Sequence, residues 1–87
     1  MKLAPFIIFH RCGDGREILL LPDSNRAIAL NSSGSFICRM LTGNGASLDR
    51  IAAALAAEFG LELPQARHDT AAFLETMRQK NLLADGE

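Results

Sequence analysis

The spacing of apolar residues changes at Asn31, and this change constrains the fold more than any other feature of the sequence. Before it, apolar residues come in three short runs, at 6–9, 18–21 and 26–30, separated by turn-forming residues. Short runs of this kind, bounded by turns, predict strands. After it, apolar residues recur every three or four positions, which is the spacing of a helix buried on one face. The chain is therefore predicted to begin as a sheet and to end as helices.

Short connections between the three runs predict an antiparallel meander. Gly13-Asp14-Gly15 separates the first two runs, and glycine adopts the positive φ angles of a hairpin turn at little cost. The segment from Pro22 to Asn25 separates the second and third runs, and its proline is preset for the second position of a type I or II turn. The third run, 26–30, is therefore expected at an edge of the sheet.

Local start and stop signals predict three helices, at 32–41, between Ser47 and Gly60, and from Pro64 to about Asn81. Side-chain oxygens before the first two helices can accept hydrogen bonds from the unpaired amides of a first turn. Glycine favours the left-handed residue that ends a helix, and proline suits the first turn because the amide it lacks would be unpaired there.

Apolar side chains recur on one face of each helix, and these faces are expected to form the core. They are Phe36, Ile37, Met40 and Leu41, then Leu48, Ile51, Ala52, Leu55 and Phe59, then Ala66, Thr70, Phe73, Leu74 and Met77. Leu82 and Leu83 are expected to fold back onto this core. Hydrophobic residues make up 48% of the 87-residue chain, enough for one core without metal ions or disulfides. We predict a single domain over residues 1–87, of the α+β class and winged-helix-like, with a three-stranded antiparallel meander followed by three helices.

Composition disfavours several classes of partner. Nine Lys and Arg against ten Asp and Glu give a net charge of -1, so no excess of positive charge attracts phosphate backbones or anionic lipid. The chain has no Trp or Tyr, which are side chains that commonly stack on nucleic-acid bases. No apolar run approaches the roughly 18 residues of a membrane-spanning helix. We expect a cytoplasmic protein that binds neither nucleic acid nor membrane.

No group of residues in the sequence predicts catalysis or a cofactor. Cys12 and Cys38 lack the CxxC spacing of metal and redox sites, and Cys38 is expected to be a buried thiol in the first helix. His10 and His68 are joined by no acidic or cysteine cluster at metal-ligand spacing. We therefore expect that the protein is not an enzyme and that it binds no cofactor or metal ion.

The third predicted strand offers a surface for recognition. An edge strand presents unpaired N–H and C=O groups that can pair with an extended peptide. The strand consists of Arg26, Ala27, Ile28, Ala29 and Leu30. It contains one charge and neither proline nor glycine, so nothing in it blocks main-chain pairing. Two interpretations stay open at this point: the edge binds a peptide, or it is covered by a helix or a second copy of the chain.

Three segments resemble the PqqD-like family. Residues 29–41, in which a leucine and an asparagine precede small and then spaced apolar residues, resemble the family's signature around its first helix. Residues 48–60 resemble its second helix, and residues 69–77 with Leu82-Leu83 resemble its third helix and closing hydrophobic pair. The resemblance covers roughly residues 16 to 83, and the order and spacing of the segments make it more specific than any single one.

The resemblance implies a non-catalytic peptide chaperone. Family members bind the leader segment of a ribosomally made precursor peptide and present it to a modifying enzyme, such as a radical SAM protein or a lasso leader peptidase, in PQQ, lasso or related peptide biosynthesis. In the family the leader adds to the third strand and lies in a cleft against the third helix. Carried onto this chain, the strand residues 26–30 would pair with the leader. The cleft wall would consist of Arg67, Thr70, Ala71, Leu74 and Arg78. The chain departs from the family pattern at Thr70, where an aliphatic residue is usual, and at Asn81, where glycine is usual.

A winged-helix DNA-binding protein is the alternative function. The third helix carries the basic residues Arg67, His68, Arg78 and Lys80. Asp69 and Glu75 interrupt this face, and the net charge is negative, so DNA binding is the weaker hypothesis. A homodimer formed through the exposed strand is compatible with either function.

Overall fold

The computed structural model describes residues 1–22, 24–43 and 45–84 and has an α+β fold. In chain order its elements are β1 (Lys2–Leu3), β2 (Ile8–Arg11), β3 (Glu17–Leu21), β4 (Arg26–Ala29), α1 (Ser32–Met40), α2 (Leu48–Phe59), α3 (Leu63–Gln79) and β5 (Leu83–Ala84). Strands β2, β3 and β4 form an antiparallel sheet in that order, which confirms the predicted meander followed by three helices. Asp23 and Asn44, which lie in predicted connections, and residues 85–87 are outside the described part.

The first strand of the meander lies two residues further along the chain than the predicted 6–9. Its pairing with β3 continues up to the hairpin turn, where the amide of Cys12 donates to the carbonyl of Arg16 at 2.7 Å. This turn fixes the register, with Ile8 opposite Leu20. The prediction from the apolar run was displaced because the position of the hairpin turn, and not the centre of the run, decides which residues of β2 lie opposite β3.

A second, two-stranded sheet joins the ends of the described chain. Lys2 lies opposite Ala84 and Leu3 lies opposite Leu83 in an antiparallel pair. Leu82, which precedes this pair, is buried as expected. Neither β1 nor β5 was predicted from the sequence, because a two-residue strand is too short to show an alternating pattern.

Side-chain caps begin α1 and α2, and a glycine ends α2, close to the predicted positions. The Asn31 side chain accepts a hydrogen bond from the amide of Gly34 at 2.7 Å, and Ser47 accepts one from the amide of Arg50 at 3.2 Å. Gly60 ends α2 with a φ of 65°, in the left-handed region. These caps satisfy backbone groups that a helix end leaves unpaired, so the local sequence is sufficient to set the bounds.

The core consists of two clusters of buried side chains. The cluster among the helices contains Ile37, Leu41, Ile51, Leu55, Ala66 and Leu74. The cluster between the sheet and the helices contains Leu19, Leu21, Cys38, Met77 and Leu82. Phe59, which was predicted to be in the core, is instead exposed and its ring meets that of Phe36 edge to face, with 5.8 Å between centroids. The sheet therefore packs against the helices with one of its faces.

Candidate functional site

A groove of about 330 Å³ lies between β4 and α3. One side is formed by Ile28, Ala29 and Leu30. The other side is formed by a stripe of α3 that includes Asp69, Ala72, Phe73 and Thr76, and by Lys80, which caps the end of the helix. The base is apolar, with Ile37, Met77 and Leu82. An apolar base with polar groups at its rim is typical of a site that binds apolar side chains and orients them through a few hydrogen bonds.

The edge of β4 beside the groove is open. Within the described residues, β4 pairs with β3 alone. The amide of Leu30 donates to the carbonyl of Glu17 at 3.1 Å, and hydrogen-bonded pairs alternate along an antiparallel ladder. Ile28 is therefore paired with β3, whereas the N–H and C=O groups of Ala27 and Ala29 point to the open edge. Of the predicted strand residues, Ile28, Ala29 and Leu30 line the groove, whereas Arg26 and Ala27 do not.

Thr70 and Leu74, two of the predicted wall residues, lie in the core and not at the groove. Thr70 has 0% of its surface exposed, and Leu74 belongs to the buried cluster among the helices. Both residues were predicted on the apolar face of the third helix, and the family resemblance also implied a place for them in the cleft wall. A side chain faces only one side of its helix, and in the structure the side chains of Thr70 and Leu74 both face the core.

Arg67, Ala71 and Arg78, the other predicted wall residues, are exposed on α3 but are not among the described residues that line the groove. Arg67 forms an ion pair with Asp49 of α2, and Arg78 pairs with Glu75 at 2.7 Å. The DNA-binding alternative depended on these two arginines together with His68 and Lys80, which line the groove. Both arginines are engaged with carboxylates, which lowers the positive charge that this face of α3 presents.

The stripe of α3 that does line the groove was missed by the sequence analysis. Its members Asp69, Ala72, Phe73 and Thr76 recur at i, i+3, i+4 and i+7, as a helix face does. The stripe is shifted by one position from the core stripe and mixes polar with apolar residues. A helical stripe of mixed polar and apolar residues beside a purely apolar stripe is the sequence feature that could have indicated a partly solvated groove wall.

A buried carboxylate stabilises one end of the open strand. The side chain of Glu17 is 8% exposed, and it accepts hydrogen bonds from Arg39 at 2.9 Å and from Arg11 at 3.1 Å. Burial raises the pKa of Glu17, but hydrogen bonds from Ser35 and Arg11 and the charge of Arg39 outweigh burial and hold the pKa below its ordinary 4.5. The backbone carbonyl of the same residue accepts the amide of Leu30. The cluster therefore ties β2, β3 and α1 together where β4 ends.

The two cysteine side chains, Cys12 and Cys38, lie outside the groove. Burial, and then the charge of Glu17, raise the pKa of Cys38 to about 12, so its thiol stays protonated at neutral pH. Cys38 is buried, which confirms the expected buried thiol. Across residues 1–22, 24–43 and 45–84, His, Cys, Asp and Glu side chains form no group of three suited to a metal ion. None of the described helices combines the length and the apolarity needed to cross a membrane.

Comparison with known proteins identifies the family. A family model described as Coenzyme PQQ synthesis protein D (PqqD) matches residues 17–83. A solved structure described as TbiB1 in complex with the TbiA(beta) leader peptide is 26% identical, with a TM-score of 0.83, covering 100% of this chain and 98% of that one. A second, described as lasso peptide synthetase B1 complexed with the leader peptide, is 26% identical, with a TM-score of 0.79, covering 93% of each chain. No curated protein matches the sequence. Since the family model spans well over half of the chain and both structures share its fold, the protein belongs to the PqqD family.

Proposed function

We propose that the protein binds the leader segment of a ribosomally synthesised precursor peptide and presents it to a separate modifying enzyme. The observation that carries the proposal is the open edge of β4, where the backbone groups of Ala27 and Ala29 face away from β3 and Ala29 lines the groove. A leader that adds as a further strand pairs with these groups and takes its register from them. Both similar solved structures contain a leader peptide, which supports the same class of ligand for this chain.

The groove selects the side chains of the leader. Alternate residues of a strand point to the same side, so every second residue of a bound leader faces the groove. Its volume of about 330 Å³ suits a few side chains and not a folded element. The apolar base, with Met77 and Leu82, favours large apolar residues two positions apart, and Lys80 at the rim favours an acidic group beside them.

The chemistry belongs to a partner enzyme in this proposal. The buried thiol of Cys38, with its raised pKa, is unsuited to nucleophilic attack. The two similar solved structures are B1 proteins, one of them described as a lasso peptide synthetase component, which favours a lasso pathway. A leader peptidase is therefore the preferred partner, and a radical SAM protein is the second choice.

Calorimetry and amide hydrogen exchange test the proposal with the precursor peptide that is encoded beside the gene for this protein. We expect one-to-one binding, with new protection of the amides of Ala27 and Ala29. The amide of Ile28 is an internal control, because it is already paired with β3 and its exchange should change little. A peptide with the same composition in scrambled order controls for non-specific binding. Absence of binding heat, or protection confined to other elements, contradicts the proposal.

A further inference from the structure

A phenylalanine ring forms a rigid surface at one end of the groove between β4 and α3. Phe73 lines the groove, and its side chain is only partly buried. The same side chain packs against both buried clusters of the core, so neighbours hold it from two directions. An aromatic side chain has few rotatable bonds, and close packing restricts it further. The ring therefore cannot easily move aside for a ligand.

The ring lies against a residue that has no side chain. A Cβ placed on Gly34, in the first turn of α1, would lie 3.2 Å from Cε1 and 3.6 Å from Cζ of Phe73. The first of these distances is shorter than an ordinary contact of about 3.5–4.0 Å between carbon atoms. Glycine at this position therefore lets the ring lie closer to α1 than any other residue would. The space left for a ligand beside the ring is larger for the same reason.

The other end of the groove has a different kind of base. Met77 lies one helical turn further along α3 and also lines the groove. It belongs to the same buried cluster as Leu19, which lies opposite Ile28 of β4. Methionine is unbranched and flexible, so it adapts its shape to an apolar neighbour. One end of the groove is thus rigid and the other is adaptable.

The two ends are spaced for successive groove-facing residues of one strand. Four residues of a helix rise about 6 Å, and alternate residues of a strand are about 6.6 Å apart. A leader added at the open edge of β4 therefore directs one side chain at Phe73 and the next groove-facing one at Met77.

We infer that Phe73, seated on Gly34, sets an upper limit on the size of the leader side chain at its end of the groove, whereas the Met77 end tolerates a change of size. Phe73 is then a residue that determines specificity, and Gly34 is a positioning residue that acts through it. This inference rests on the proposed function.

Calorimetry with a set of peptides tests the size limit. The set consists of the precursor peptide encoded beside the gene and single variants in which each apolar residue of its leader is replaced in turn by tryptophan. These peptides are titrated into the parent, Phe73→Leu and Phe59→Leu. Phe59→Leu is the matched control, because the same change is made to a ring that is 39% exposed and does not line the groove. Phe73→Met repeats the measurement, so the test does not depend on the folding of one variant.

We expect one tryptophan replacement to weaken binding to the parent at least about tenfold, since one added methylene in an apolar pocket changes binding about 10- to 200-fold. Phe73→Leu and Phe73→Met should each relieve at least about fivefold of this loss at that position alone. The next groove-facing position should tolerate tryptophan with a loss of less than about fivefold, because Met77 adapts. Phe59→Leu should leave every loss within about twofold of the parent.

Gly34→Ala tests whether the glycine acts through the ring. The new Cβ would displace the ring toward the groove, so the unmodified peptide should bind about three- to tenfold more weakly. The same Cβ would lie 3.0 Å from Oδ1 of Asn31, which caps α1. An effect through the cap is independent of residue 73, whereas an effect through the ring requires Cε1 and Cζ, which Phe73→Leu lacks. We expect Gly34→Ala to change binding by less than about twofold in the Phe73→Leu background.

Three results overturn the inference. The first is tolerance of tryptophan by the parent at every apolar position of the leader. The second is relief by the Phe73 variants that is equal at all positions or is matched by Phe59→Leu, which indicates a general loosening of the fold. The third is an equal loss from Gly34→Ala in both backgrounds, which assigns its effect to the helix cap. A parent that binds no peptide refutes the proposed function and this inference together, whereas peptide binding combined with any of the three results refutes the inference alone.

Discussion

Replacing Ala29 with proline removes one backbone donor from the open edge of β4 and leaves the core intact. Ala29 is exposed in an edge strand, where proline is tolerated, and its amide points away from β3. In the complex, the leader carbonyl opposite this position would lose its partner. An acceptor left unpaired in a desolvated contact costs about 1–3 kcal/mol, and about 1.4 kcal/mol corresponds to a tenfold change in affinity. The leader should therefore bind roughly five- to 150-fold more weakly.

Calorimetry of the parent, Ala29→Pro and Ala29→Val with the precursor peptide measures this loss. Valine is the control, since it also enlarges the side chain and favours a strand but keeps the amide, so its affinity should stay within about threefold of the parent. Proline at Ile28 should act differently, because that amide pairs with β3, and its replacement should lower the free energy of unfolding. A folded Ala29→Pro variant that binds the leader as tightly as the parent would refute strand addition at this edge.

Three further predictions concern stability. Thr70→Val should raise the free energy of unfolding by about 1 kcal/mol, measured with urea, because the buried hydroxyl has no hydrogen-bond partner within the described residues; a loss of stability would contradict this. The folded pKa of Glu17 lies below its ordinary 4.5, so its stabilisation is present above pH 4.5 and is lost as the pH falls through the folded pKa. Glu17→Gln should accordingly flatten the dependence of unfolding on pH in this acidic range, and an unchanged slope would exclude the role. Gly45→Ala should destabilise the protein by more than about 1 kcal/mol, seen as a lower Tm, because φ is +77° and the new Cβ would overlap the Met1 carbonyl; an unchanged Tm would show that the segment moves aside.

Elements set by neighbouring residues were predicted well from the sequence. Ser47 begins α2 by a hydrogen bond from a residue within one helical turn, and Gly60 ends α2 through its left-handed φ angle. The third strand was predicted at an edge of the sheet because turn residues on both sides of the second strand force a meander. Ala27 and Ala29 are the positions of that strand whose backbone groups face the open edge, and they follow from simple alternation once the register is known.

Features that depend on contacts distant in the chain were not predicted. The pairing of β1 with β5 joins residues at opposite ends of the chain and has no local signature. The groove wall on α3 was assigned through the family resemblance to residues that include Thr70 and Leu74, although the helical spacing also places both of them in the core stripe, where they lie. Only the packing of α3 on the other helices decides which stripe is buried. The charge cluster at Glu17 likewise joins three elements, and no spacing in the sequence indicates it.

Because β1 and β5 are neighbours in one small sheet, the chain enters and leaves this fold at a single place. A fold with adjacent ends can be inserted into a loop of another protein without separating the two sides of that loop. The open edge of β4, where leader binding is proposed, belongs to the other sheet, so insertion of this kind would leave it unobstructed. The same architecture can thus serve as a free-standing adaptor or as an appendage carried by a larger enzyme.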